Sequence, residues 1–372
     1  MAFFSSSPFL ISLLSAWLIP ATSNGCFIKA IYSFGDSIAD TGNLLRMGPS
    51  GLFNPIGHFP YGVTLTKPTG RCSDGLLIID YLAMSLNLSS INPYMDKSAS
   101  FEDGVNFAIA GATALEEPFF VASGVLMPYA ASSLGAQLGW FDAHLSSICS
   151  TREVCAKKLE RALFLVGEIG GNDYNFAFYQ GKRIHEVESF VPRVIQRIVD
   201  AIKKVIEAGG VHVVVPGNFP IGCMPSYLSM AEDMDSSGEY DDLNCLKDLN
   251  EFAMLHNNQL QEAINGLKQE YPQAVILYAD YYQAFLYLLH NASLLGFDES
   301  SSFDSCCGGG GKHNFDIHLI CGLPGTVVCT APAKYISWDG IHLTQKAYRV
   351  MAQALIDSFI YPSLESHKIW KC

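Results

Sequence analysis

The chain has 372 residues, a formal net charge of −13 and 49% hydrophobic residues. That apolar content excludes a disordered chain, and the length suffices for one large α/β domain with a substantial core. The acidic balance, without a Lys/Arg cluster long enough to follow a phosphate backbone, argues against nucleic acid or an anionic membrane as partner.

From Phe9 to Ile19 the chain is almost wholly apolar, and Pro20 and the small residues Ala21-Thr22-Ser23-Asn24-Gly25 follow. This predicts a signal peptide over residues 1–25, leaving residues 26–372 as a single domain. The apolar run is too short to span a bilayer comfortably. A retained anchor is the alternative, because Met1 to Ser7 carries no Lys or Arg. Export suits the eleven cysteines, an odd number that leaves at least one thiol free or paired between chains. Cys149 and Cys155 bracket a short loop. Cys306, Cys307, Cys321 and Cys329 crowd one Gly-rich segment, where disulfides are expected in an exported chain and zinc in a cytosolic one. In the secretory pathway, Asn87-Leu88-Ser89 and Asn291-Ala292-Ser293 become glycosylation acceptors at Asn87 and Asn291.

Ala30 to Phe34 reads as a first strand and Leu163 to Val166 as a middle one; Val211 to Val215 and Val275 to Tyr278 follow. A helix is predicted from about Val187 to Ala208, where Val191, Val194, Ile195, Ile198, Ile202, Val205 and Ile206 recur at helical spacing. Gly209-Gly210 stops it. Further helices are expected over Leu246 to Glu270 and Gln345 to Phe359. Helix, glycine stop and buried strand is the rhythm of a parallel sheet covered on both faces. Asp298 to Lys334 breaks it and reads as a long loop held by disulfides.

Four segments carry candidate chemistry. In Phe34-Gly35-Asp36-Ser37, Ser37 stands at a strand's carboxyl end where a helix is expected to start. There its hydroxyl faces the ligand crevice of open α/β sheets, and helix amides favour negative charge. The tripeptide Gly-Asp-Ser alone is equally a turn with a helix cap. In Trp338-Asp339-Gly340-Ile341-His342, Asp339 can hold one ring nitrogen of His342 while the other acts as base toward a serine hydroxyl. In Gly170-Gly171-Asn172-Asp173, Asn172 can aim its amide at an anionic oxygen. Asn106-Phe107-Ala108-Ile109-Ala110-Gly111 is a short apolar run ending in a glycine that can bring its N–H equally close. Asp36 and Asp173 read as a cap and a turn carboxylate rather than acids.

Together the four segments resemble the GDSL esterase/lipase, or SGNH hydrolase, family from about Lys29 to Ile360. Phe34 to Asn43 fits the first block, Gly111 the second, Gly170-x-Asn172-Asp173 the third and Asp339-x-x-His342 the last. The resemblance implies a three-layer α/β/α sandwich with a mostly parallel, flavodoxin-like sheet of about five strands. It implies Ser37 as nucleophile, His342 as base and Asp339 as its orienting acid, with an oxyanion hole of the Ser37 and Gly111 amides and the Asn172 side chain. Phe59-Pro60-Tyr61-Gly62, Pro68-Thr69-Gly70-Arg71, Ser73-Asp74-Gly75 and Val213 to Asn218 match plant members. Cys72 and Leu76 stand where many members have Phe and Arg, which is nearer the branch holding sinapine esterases and acetylajmalan esterase.

A secreted serine esterase is thus expected, acting as a monomer on a small-molecule ester without metal or cofactor, through an acyl-enzyme. Its final compartment stays open between the extracellular space, the vacuole and the ER lumen. The branch suggests a short acyl group, such as acetyl, on a plant specialised metabolite such as an alkaloid or choline ester. Acyl transfer by the same residues is the alternative; a lipase or a binding protein on an inactive scaffold stands behind it. No Gly-x-Ser-x-Gly elbow occurs. His185-Glu186 lacks the second histidine of a zinc-protease motif, Ser189 standing in its place. Gly308 to Lys312 lacks both the leading glycine and the Ser/Thr of a P-loop.

Overall fold

A computed structural model describes residues 27–48, 55–127, 133–233 and 238–357. The predicted signal peptide, Cys26 and Cys372 lie outside them. Five strands form one sheet: β1 (Ala30–Phe34), β2 (Gly104–Asn106), β3 (Ala162–Val166), β4 (His212–Pro216) and β5 (Val275–Ala279). Their order is β2-β1-β3-β4-β5, every pairing parallel. β1, β3 and β4 are central, and β3 is Ala-Leu-Phe-Leu-Val with every residue buried, as a strand covered on both faces must be.

The order reverses at β1, since the first crossover runs to β2 and the later ones run the other way. With right-handed crossovers this puts helices on both faces. Ile78–Ser85, Tyr281–His290 and Gln345–Leu355 pack together, and Leu134–Ile148, Val191–Glu207 and Lys247–Glu270 form the other group. The reversal also opens a crevice at the carboxyl ends of the central strands. The implied three-layer, flavodoxin-like architecture is the one observed.

Two elements differ from the sequence reading. β2 was not expected; it has three residues, and its approach to β1 depends on Gly104, where a Cβ would lie 1.9 Å from the Ile31 carbonyl oxygen. The helix predicted from Val187 is broken into Ile184–Val187, a 3-10 turn Glu188–Phe190 and Val191–Glu207. Pro192 has no N–H for the Glu188 carbonyl, so it begins a helix rather than continuing one. The last helix is assigned to Gln345–Leu355, and its predicted end at Phe359 falls outside the described residues.

Cys149 pairs with Cys155, Cys306 with Cys329 and Cys307 with Cys321, while Cys223–Cys245 was not anticipated. Cys72 is a free, buried thiol. The Asp298 to Lys334 excursion is therefore stapled twice, and its first staple residues carry it back to the sheet's crevice: Cys306 N–H donates to the Ser337 carbonyl and Cys307 N–H to the Trp338 carbonyl.

Candidate active site

The segment that presents Ser37 is fixed by backbone constraints. Gly35 has φ 137°, and the facing Gly167 has no room for a side chain, since a Cβ there would lie 2.0 Å from the Phe34 carbonyl oxygen. Gln137, buried on a helix, clamps the Gly35 peptide from both sides: Gly35 N–H donates to its Oε1 at 2.9 Å and its Nε2 donates to the Gly35 carbonyl at 2.8 Å. Asp36 Oδ1 accepts the Ile38 N–H at 2.9 Å, capping a turn where a helix-start cap was predicted. The expected helix start at Ser37 is corrected: residues 36–39 form a turn, and the next helix is only Asn43–Arg46. Gly42, with φ 126°, and the four backbone amides gathered by Asp40 hold the chain in that shape. A helix dipole therefore does not aid Ser37.

Asp339 and His342 sit on a loop beside the C-terminal helix. Asp339 Oδ1 accepts the backbone N–H of Ile341 and of His342, which winds the chain into one turn. Its Oδ2 then meets His342 Nδ1 at 2.8 Å, and His342 Nε2 lies 2.8 Å from Ser37 Oγ. All three residues are buried. Burial alone pushes the Asp339 carboxyl up and the His342 imidazole down. Their mutual charge and hydrogen bonds outweigh it, leaving Asp339 below and His342 above its ordinary value. With Nδ1 donating to Asp339, Nε2 is free to accept the Ser37 proton. Tyr61 was quoted from sequence without a role; its hydroxyl donates to the same Asp339 Oδ2 at 2.8 Å.

Gly111 and Asn172 join the same crevice. Asp40 and Asp173 hold the Gly111 loop from either side, Asp40 accepting the Ala110 N–H and Asp173 those of Ala114 and Leu115. Asp173 is thus a backbone anchor, its pKa pushed up to about 7 by burial despite those amides. Among the described residues no acceptor takes the Ser37 or Gly111 N–H. The Asn172 amide is committed: Nδ2 donates to Asp36 Oδ2 and to the Ala112 carbonyl, each at 3.0 Å. Burial raises Asp36 to about 6, and its neighbour Glu168 lies well above the ordinary carboxyl range through burial and the charge of Asp36, to which it hydrogen-bonds. Asn172 is therefore positioned by a carboxyl pair whose burial favours its protonated forms.

The GDSL-like lipase/acylhydrolase family model matches residues 31–355. Acetylajmalan esterase 2 from Rauvolfia serpentina is 44% identical over 96% of this chain and 98% of its own. Acetylajmalan esterase from the same plant is 46% identical over 94% and 91%, and a GDSL esterase/lipase of Arabidopsis thaliana 43% over 92% and 88%. The chain belongs to the GDSL-like lipase/acylhydrolase family. It is a carboxylic ester hydrolase.

In this hydrolase a cavity of about 350 Å³ opens beside Ser37, Asp339 and His342, walled mainly by apolar and aromatic side chains such as Tyr61, Phe176, Tyr179, Phe315 and Ile320. Among the described residues, Asp339 and His342 are its only charged or titratable carboxyl and imidazole groups. The plant signature Ser73-Asp74-Gly75 acquires a role: Ser73 Oγ donates to the Leu343 carbonyl and Asp74 accepts the Gln345 N–H, while the N–H of the divergent Leu76 donates to Gln345 Oε1. They clamp the chain just after His342.

Sequence reasoning missed Gln137, Glu168 and the role of Tyr61. Gln137 had a signal, a polar residue on the apolar stripe of Leu134, Leu138 and Phe141. So did Glu168, a lone carboxyl among the glycines that end β3. Of the two sequons, Asn87 is exposed, whereas the half-buried Asn291 donates its amide to the Tyr287 carbonyl at a helix end. No helix among the described residues is long and apolar enough to cross a membrane.

Proposed function

We propose that Ser37 is the nucleophile of a secreted esterase, with His342 as base and Asp339 as its orienting group. The observation that carries this is the unbroken hydrogen-bonded chain from Ser37 Oγ through His342 to Asp339 at the mouth of an apolar cavity. Ser37 Oγ attacks the ester carbonyl carbon as its proton moves to His342 Nε2. The oxyanion is held by the Ser37 and Gly111 amides, and by Asn172 once one of its N–H groups is shared with it. The alcohol leaves with the proton from His342. Water, deprotonated by the same imidazole, then releases the acid.

The substrate is an ester of a short acid, acetyl foremost, with a ring-bearing alcohol of alkaloid type. The names of the Rauvolfia relatives and the aromatic walls of the cavity support this. Export is supported by the leader sequence, the sequons at Asn87 and Asn291 and four disulfides among the described residues. On this reading residues 26–372 are one monomeric hydrolase domain. Ser37→Ala is expected to cost up to ~10⁶ in turnover. A fluorophosphonate should modify Ser37 in the parent protein and not in the variant. A variant that keeps most of its esterase activity overturns the assignment.

A further inference from the structure

A second cavity, of about 50 Å³, meets the larger one at Ser37. The two share Ser37, Asn172, Asn175, Tyr179 and Ile341, but His342 and Asp339 line only the larger. The far walls of the small cavity come from the segment after β4, where Phe219, Ile221 and Met224 are buried.

One of its walls carries an unsatisfied donor. Asn218 is 3% exposed, and its Nδ2 has no partner among the described residues. Its orientation is fixed, because Oδ1 accepts the Phe219 N–H at 3.0 Å while Asn257 pairs with both backbone groups of Asn218. Turning the amide over would leave the Phe219 N–H without an acceptor. The NH2 group is thus an unpaired donor buried within the wall that Asn218 gives the cavity.

The reaction proposed above decides which half of an ester goes where, and this inference rests on it. The leaving oxygen must take its proton from His342 Nε2, so the alcohol lies on the side His342 reaches, in the larger cavity. The carbonyl oxygen points to Asn172. The remaining substituent of the carbonyl carbon, the acyl chain, is directed away from His342. We propose that the small cavity is the acyl subsite, and that Ile221 and Met224 set the length of chain it accepts. One water needs about 10–15 Å³ by the same measure. The space therefore suits acetyl to butyryl and excludes a fatty acyl chain. A long hydrocarbon would also press apolar carbon against the Glu168 carboxyl that lines the space, whereas a short acyl group leaves room for water there.

The test is a series of p-nitrophenyl esters on the full secreted chain, followed by variants. In the parent protein kcat/KM should fall by at least ~10² from acetate to octanoate, because a fitted pocket discriminates by about 10–200-fold per methylene misfit. Met224→Ala and Ile221→Ala should each raise the octanoate-to-acetate ratio by at least ~10-fold. Ile320→Ala, in the larger cavity, should instead reorder acetates of different alcohols. Octanoate cleaved as readily as acetate by the parent protein overturns the proposal, whatever the variants do. So does an acyl ratio that responds to Ile320→Ala and not to Met224→Ala or Ile221→Ala. Failure of the esterase reading itself would look different, since Ser37 would then resist the fluorophosphonate.

Discussion

The two halves of the candidate site are held in place by different means. The Ser37 half, with Gly111 and Asn172, stands on the ends of β1, β2 and β3 and is locked by buried hydrogen bonds from Gln137, Asp40, Asp173 and the Asp36–Glu168 pair. The His342 half stands on a loop outside the sheet. It is held by two disulfides behind it and by Ser73, Asp74 and Leu76 in front. The first half inherits its rigidity from the fold; the second must be stapled to it. Damage to the first should thus appear in the chemistry, and damage to the second in how long the site survives heat.

The sharpest break of the first half is Asn172→Ala. Removing one oxyanion donor costs about 10²–10³ in kcat. KM should change little, because the donor acts on charge that develops only in the transition state. Steady-state kinetics on a p-nitrophenyl acetate series check this. A loss below about tenfold would mean that Asn172 keeps its ground-state bonds to Asp36 and Ala112 throughout, leaving the oxyanion to the two backbone amides.

The stapled half is tested by Cys307→Ser/Cys321→Ser. This pair closes a 14-residue separation, and a loop of that size contributes about 3 kcal/mol. Cys307 also donates its backbone N–H to Trp338, one residue before Asp339. The variant is expected to lose esterase activity at a lower temperature than its far-UV circular dichroism reports unfolding of the sheet. Coincident transitions would show that the loop and the sheet melt as one unit.

What could be read from sequence divides along the same line. β1, β3 and β4 were legible because a strand buried on both faces must be a continuous apolar run, and the partly buried edge strand β5 as a short apolar run after a helical pattern. Ser37, Gly111, Asn172, Asp339 and His342 were legible because each stands in a short segment whose glycines or spacing have a local steric reason. Gln137 was not, since its partner Gly35 is 102 residues away and only the folded sheet brings them together. Cys223–Cys245 was hidden by the many pairings that eleven cysteines allow. The turn at Ser37 was misread as a helix start because Asp40 draws the amides of Gly42, Asn43 and Leu44, and that of the distant Ala110, to itself, a choice made by side chains rather than by propensity.

The smallest expected effect is the most specific, and it concerns Tyr61, which hydrogen-bonds to Asp339. Its hydroxyl and the His342 Nδ1–H share one carboxylate oxygen. Tyr61→Phe removes a hydrogen bond worth about 0.5–1.5 kcal/mol, so kcat/KM should fall by roughly two- to tenfold. The pH profile separates positioning from packing. Burial is the largest single influence on His342 and lowers it, but the Asp339 charge, its hydrogen bond and the Asp36 charge together raise it further, so its pKa already lies above the ordinary histidine value. Without Tyr61 the whole charge of Asp339 Oδ2 falls on the imidazolium, which stabilises the protonated form. His342 must be neutral to take the Ser37 proton, so the acid limb of kcat/KM should move to higher pH. A lower plateau with an unmoved limb would reduce Tyr61 to a wall of the cavity, edge-on to Trp338 at 5.9 Å.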